Sequence, residues 1–268
     1  MNIRKIWHIL PEGFRKGLSE KTGFQDKIIR YGTRRKAKAM KQFKDIAVGK
    51  RCFIVGNGPS LTIEDLEKIK DEDSFACNYI FKIFDQTNWR PTYYAMQDTT
   101  HLERLGWKTS DTVVSDCKAV FLNGISRRFR DKSTIAPNEF FFYCNGEGAY
   151  EGNIRFSDDI TKNIFEGSTV TYTNIQLAVY MGYSEIYLIG VDHNYPSWNS
   201  GQTKDHTSSY MKGVGEVFDI ANPPVYAIAE LAYTKGYEEC TKRNIKICNA
   251  TRGGKLEVYP RVDFDSLF

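Results

Sequence analysis

At 268 residues, with 41% hydrophobic and 26% charged residues, the chain can bury one substantial core and is not a disordered polymer. No apolar run approaches the roughly 18 residues of a membrane-spanning helix. The first ten residues carry charges where a secretory signal would be unbroken and apolar, so no signal is expected. The net charge of +4 hides an asymmetry: residues 1–50 hold 14 basic and four acidic residues, a net of +10, and the remainder stands at −6.

The basic segment comes first in the chain. Ile3, Ile6, Trp7, Ile9, Leu10 and Phe14 supply apolar anchors near its start, and Ala37, Met40, Phe43 and Ile46 recur every three residues as on one helix face. Residues 1–48 therefore read as a basic, helical appendage. Residues 1–45 would draw it to an anionic membrane surface with Trp7 at headgroup level. The same composition fits a solvated helix packed on the body or on a partner subunit, and a homo-oligomer is compatible with that. Nucleic-acid binding is a third reading of the charge, and no nucleic-acid partner is expected.

From residue 49 onward strands and helices alternate. Strands are expected over 51–55, 74–77, 92–96, 118–122, 139–143, 185–190 and 245–248, and helices over 63–69, 171–181 and 222–243. Cys52-Phe-Ile-Val55 and Ala119-Val-Phe-Leu122 are apolar throughout, as strands covered on both faces must be. The fold class is α/β: one doubly wound, mostly parallel sheet, Rossmann-like or glycosyltransferase-A-like, over residues 49–268, behind the basic appendage. The first strand ends in Gly56-Asn57-Gly58-Pro59-Ser60, and Thr62 with Asp65 reads as a capping box opening the next helix. Glycines let a ligand approach the backbone, and a helix N-terminus attracts phosphate. The turn lacks the Lys of a Walker A loop and the third Gly of a dinucleotide fingerprint.

Other strands end in polar residues as well: Asn78, Gln97 with Asp98, Asn123, Asn145, and Asp192 with His193. In a parallel sheet these converge on one rim, where amides suit bases, ribose and sugar hydroxyls. Residues 194–215 form a long Gly/Ser/Asn-rich loop containing His206. A base near neutrality suits an acceptor hydroxyl, and His206 is the first candidate, with His193 second and His101 weaker. Asp98, Asp192 and Asp205 could take Mg²⁺ beside phosphates, although the rim has no compact Asp-x-Asp pair. The six cysteines form no C-x-x-C pair and read as buried thiols of a reducing compartment.

Three blocks carry a resemblance: Gly56-Asn-Gly-Pro-Ser-Leu61, Cys77-Asn78, and Gly167-Ser-Thr-Val170 followed by Gly182-Tyr-Ser-Glu-Ile-Tyr-Leu-Ile-Gly-Val-Asp192. Over residues 50–260 the chain resembles the motility-accessory-factor and MptE-like family, and equally the related bacterial CMP-sialic-acid-dependent sialyltransferases. Ile247-Cys-Asn-Ala-Thr-Arg-Gly-Gly-Lys-Leu256 is closer to the former. The sialyltransferase resemblance implies that Gly56, Asn57, Gly58, Ser60 and Asn78 hold the nucleotide donor, with Ser168 and Thr169 beside it. It implies His206 as general base and Tyr195, displaced by about one residue, with Tyr210 as the pair that helps phosphate leave. The Arg expected before the Ser/Thr pair is replaced by Phe165-Glu166-Gly167. Asp98 and Asn123 complete the expected donor site, and Asp192 the catalytic set.

The resulting expectation is a cytoplasmic, inverting glycosyltransferase associated peripherally with the inner membrane. It would move a sialic-acid-like or other sugar from a nucleotide donor, CMP-linked by preference, to a surface glycan or lipid-linked precursor. No obligatory metal is implied, and Mg²⁺ stays open. The alternatives are a diphosphokinase of the MptE type, using ATP and Mg²⁺ on a pterin-like alcohol, and a non-catalytic membrane-docked scaffold.

Overall fold

The computed structural model describes residues 32–106, 111–126, 135–194, 211–212 and 223–268. Seven strands form one sheet: β1 (Arg51–Val55), β2 (Ser74–Cys77), β3 (Tyr93–Met96), β4 (Ala119–Asn123), β5 (Glu139–Phe142), β8 (Glu185–Ile189) and β9 (Lys246–Asn249). Their order is β5-β4-β3-β2-β1-β8-β9 and every pairing is parallel. Two short strands, β6 (Cys144–Asn145) and β7 (Ile164–Phe165), pair separately. The helices are α1 (Ile63–Lys68), α2 (Thr99–Arg104), α3 (Asp111–Asp116), α4 (Val170–Met181) and α5 (Pro223–Lys242).

Alternate residues of each strand point to opposite faces, and both faces are covered. Ile54, Phe75, Tyr93, Phe121 and Leu188 share one core with Ile175 of α4 and Tyr233 of α5. Phe53, Ala76, Tyr94, Val120 and Tyr187 share the other with Leu66 of α1 and Leu102 of α2. That double coverage is why the strands read as unbroken apolar runs. Helix α4 is buried on nearly all sides, sitting between the sheet and α5. Gly182, in the left-handed region at φ 87°, ends it.

Residues 32–37 are helical and continue into a 3-10 helix, Lys38–Phe43. Ala37, Met40 and Phe43 are buried as their spacing of three requires. Phe43 meets Phe121 and Phe140 edge-on, with ring centroids 5.1 and 4.7 Å away. Ile46, expected on the same face, is 40% exposed instead. The helix stops at Phe43, Lys44 is extended and Asp45 turns to φ 56°, which brings Ala47 inward in its place. The amides of Asp45 and Ala47 then donate to Tyr180 and Met181 O, tying the segment to the end of α4.

Candidate active site

From β1 the chain winds outward one way through β2 to β5, and from β8 the other way to β9. Such a reversal leaves a crevice beyond the carboxyl ends of the two central strands. A cavity of about 580 Å³ opens there, a size suited to a small ligand. Its wall includes Gly56, Asn57 and Gly58 after β1, Asn78 after β2, Gln97 and Asp98 after β3, and Asn123 at the end of β4. Asp192 and His193 after β8, Ser168, Thr169 and Thr171 at the start of α4, and Tyr226 and Tyr233 of α5 close it.

The glycine turn owes its composition to the chain's own neighbouring strand. The amides of Gly56 and Gly58 donate to Ile189 O and Gly190 O, both at 2.8 Å. A β-carbon on Gly56 would lie 2.3 Å from Gly190 O, and one on Gly58 1.9 Å from Asp192 Oδ2. Ser60 stands behind the wall and donates to Asp192 Oδ2 through Oγ at 2.7 Å and through its amide at 3.4 Å. Burial raises the Asp192 carboxyl above its ordinary range, with the Ser60 bonds opposing. Thr62 and Asp65 form both bonds of the capping box, so the start of α1 is closed by its own side chains. Beside the short α2, whose start is closed by its Asp98 cap, the cavity is lined by the N-terminus of α4, twelve residues long and capped by Thr169. Its dipole places about half a positive charge there.

The strand-end amides divide into two groups. Asn123 is used internally: Nδ2 donates to Gln97 O at 3.0 Å and Oδ1 accepts from the Ile125 amide. Asn145 does not join the rim, because β5 ends at Phe142 and Asn145 belongs to the β6–β7 pair, its Oδ1 accepting from the Glu147 amide. Asn57 donates to Cys77 O at 3.1 Å, yet its Oδ1 and that of Asn78 are buried without a hydrogen-bond partner. Both side chains line the cavity, and a ligand hydroxyl or amine would satisfy them. Strain gathers here as well. Of five non-glycine residues with positive φ among the described residues, Asn78 (51°), Ser168 (55°) and His193 (48°) line this cavity.

Charge is the feature the sequence hid. Among the described residues the cavity is lined by no Lys or Arg, and by three carboxylates: Asp98, Glu166 and Asp192. Asp98 caps α2 through the Thr100 amide at 2.7 Å, and its Oδ2 lies 3.7 Å from His101 Nε2. His101 is buried, with Nδ1 2.9 Å from the Tyr79 hydroxyl. His193 stands edge-on to Tyr233, 5.5 Å between centroids, and burial holds its pKa below the ordinary value, with Glu230 opposing. No group of three His, Cys, Asp or Glu side chains among the described residues is placed to hold a metal ion. His206, Tyr195 and Tyr210 lie outside the described residues. The next residue, Met211, is buried, and its amide donates to Asn57 O at 2.7 Å, so the chain lies against the glycine turn at that point. Tyr150, Glu166, Tyr226 and Tyr233 were not expected from sequence, because no motif or period marks them.

Comparison with solved structures gives a MAf glycosyltransferase from Magnetospirillum magneticum AMB-1, with a TM-score of 0.54 and 18% identity over 84% of this chain. The alignment covers 35% of that protein, so the present chain spans about a third of its length. The sialyltransferase CstII from Campylobacter jejuni, solved with the substrate analogue CMP-3FNeuAc, aligns over 80% of this chain and 86% of its own at 14% identity, with a TM-score of 0.37. No curated protein sequence matches. The first likeness establishes a glycosyltransferase-like fold. A family model described as 6-hydroxymethylpterin diphosphokinase MptE-like matches residues 28–197, well over half of the chain, and the protein belongs to that MptE-like family.

Proposed function

We propose that the protein is an inverting glycosyltransferase. It moves a sugar from a nucleotide donor, CMP-linked by preference, to a surface glycan or lipid-linked precursor. The observation that carries this reading is the charge of the cavity. A wall with unsatisfied amide oxygens, the N-terminus of α4 and no Lys or Arg among its described residues favours a nucleoside with one phosphate charge. A CMP-linked sugar carries one phosphate charge, with a separate carboxylate on the sugar where that is sialic-acid-like, whereas a diphosphate donor or ATP brings two or more phosphate charges together against Asp98, Glu166 and Asp192.

In this reading Asn57 and Asn78 meet the nucleoside, and Ser168 and Thr169 receive the phosphate. His206 takes the acceptor proton, Tyr195 and Tyr210 assist the departing phosphate, and Asp192 braces the glycine turn through Ser60. Family membership favours a second reading, a diphosphokinase that uses ATP and Mg²⁺ on a pterin-like alcohol. It requires a cation to offset the three carboxylates, and Asp98 beside the bound phosphates is where Mg²⁺ would fit. Thermal-shift measurements with CMP, CDP, UDP, GDP and ATP, each with EDTA or Mg²⁺, separate the two. Stabilisation of about 2.7 kcal/mol is expected at a hundredfold excess of a bound ligand over its Kd. CMP acting in EDTA supports glycosyl transfer. ATP acting only with Mg²⁺, and CMP not at all, overturns it.

A further inference from the structure

Glu166 has no place in the roles above, and its setting is unusual for a carboxylate. It follows β7, whose pairing with β6 fixes the backbone: the Glu166 amide donates to Asn145 O at 3.0 Å. The side chain faces the cavity two residues before Ser168. Among the described residues its one side-chain hydrogen bond is from the Tyr150 hydroxyl to Oε1, at 3.1 Å. No Lys or Arg pairs with it among the described residues. The charged and titratable groups facing it are Tyr150 from the 146–152 turn, Asp98 from the end of β3 and Cys144 from β6. The start of α4 adds its dipole.

We propose that Glu166 is the proton donor to the departing phosphate, an assignment that rests on the glycosyl-transfer reading above. A carboxyl in such a place can be neutral when the donor is bound, so that it gives a hydrogen bond and then a proton where other sites use a cation. Burial first, and Asp98 second, hold its pKa above the ordinary carboxylate value, with the Tyr150 bond opposing. Asp98, half exposed and 3.7 Å from His101 Nε2, is the other carboxylate that faces it. In the step, the bond from the anomeric carbon to the phosphate oxygen breaks and its electron pair stays on that oxygen. The Glu166 proton passes to the phosphate, whose monoester form accepts one near pH 6. The acceptor oxygen bonds to the anomeric carbon and loses its proton to the histidine base. Water returns a proton to Glu166.

The product complex offers a test that needs no knowledge of the sugar. Free CMP carries two phosphate charges near pH 7.5, and placing it against Glu166 should draw in a proton. Calorimetry of CMP binding in EDTA, in buffers of different ionisation heat, counts that proton. The wild-type protein is expected to take up about one. Glu166→Gln should take up none and bind CMP at least as tightly. Tyr150→Phe removes the bond that favours the charged form, and should move to higher pH the point above which uptake ceases. It serves if the Gln variant fails to fold. Hydrolysis of CMP-N-acetylneuraminate with water as acceptor should fall by about 10²–10⁴ in Glu166→Gln with KM little changed. CMP binding without proton uptake, or with equal uptake in wild type and Glu166→Gln, overturns the assignment and leaves the glycosyl-transfer reading standing. No CMP binding by the wild-type protein overturns that reading and the assignment with it.

Discussion

At the scale of single residues, Gly58 separates two uses of one motif. A β-carbon there would meet Asp192 Oδ2 at 1.9 Å and Gly190 O at 2.7 Å, so the turn is packed against the end of β8 before any ligand arrives. Gly58→Ala is therefore expected to cost about 1–3 kcal/mol through overpacking. The thermal midpoint should fall by about 2–4 °C for each kcal/mol. Calorimetric unfolding of the unliganded variant measures this, and an unchanged midpoint would mean that the turn yields and the glycine serves only a ligand. The motif was legible in sequence; its main physical cause was not, because Gly190 and Asp192 lie more than a hundred residues away. Glu166 and Tyr150 escaped for the same reason. They reach the cavity through a two-residue ladder and a tight turn, and neither leaves a periodic trace.

At the scale of elements, what could be read was what burial dictates. A strand covered on both faces must be apolar throughout, which is why β1, β4 and β8 stand out. The six-residue helices α2 and α3 bury little and carry no period of their own. Helix α5 was legible as a helix, though not its docking. Near its end Glu239 is 7% exposed and is held by Lys235 Nζ at 2.9 Å, by Lys242 Nζ at 3.6 Å and by Arg243. Arg243 also reaches Asp158 at 2.5 Å, joining the helix to the 153–158 segment. Burial alone would raise the Glu239 carboxyl, but Arg243 and Lys235 bring it down to about 2. A carboxyl lowered on folding stabilises above its unfolded pKa, and that contribution is lost as pH falls toward the folded value. Glu239→Gln should therefore lower stability at neutral pH by about 1–3 kcal/mol. The deficit should shrink between about pH 4.5 and pH 2. Urea midpoints of both proteins at neutral pH and near pH 2.5 check this, and a deficit independent of pH would assign the loss to packing.

At the scale of the whole molecule, the basic segment and the body are not separable at residue 45. Ala37, Met40, Phe43 and Ala47 are core residues, whereas Arg34, Arg35, Lys38, Lys41 and Lys44 on the same stretch are exposed. One strap thus carries an apolar face into the body and a basic face outward. The +10 charge divides into +4 over residues 1–31 and +6 over residues 32–50. Among the described residues no helix is long and apolar enough to cross a membrane. We propose that the basic face and the apolar residues around Trp7 together hold the protein reversibly on an anionic surface. Each Lys or Arg near such a surface contributes about 1 kcal/mol, and salt screens it. Deletion of residues 1–45 would remove Met40 and Phe43 and expose the sheet face beneath them, so it cannot separate docking from folding. Deletion of residues 1–31 keeps the strap, and Lys38→Glu with Lys41→Glu and Lys44→Glu reverses its outer charge without touching the core. Both are expected to remain folded and to lower co-sedimentation with phosphatidylserine vesicles. The charge variant should lose the salt-sensitive part, and the deletion the part that persists in high salt through the apolar anchors. Equal sedimentation of wild type and both variants at low salt would leave the strap with packing as its whole role.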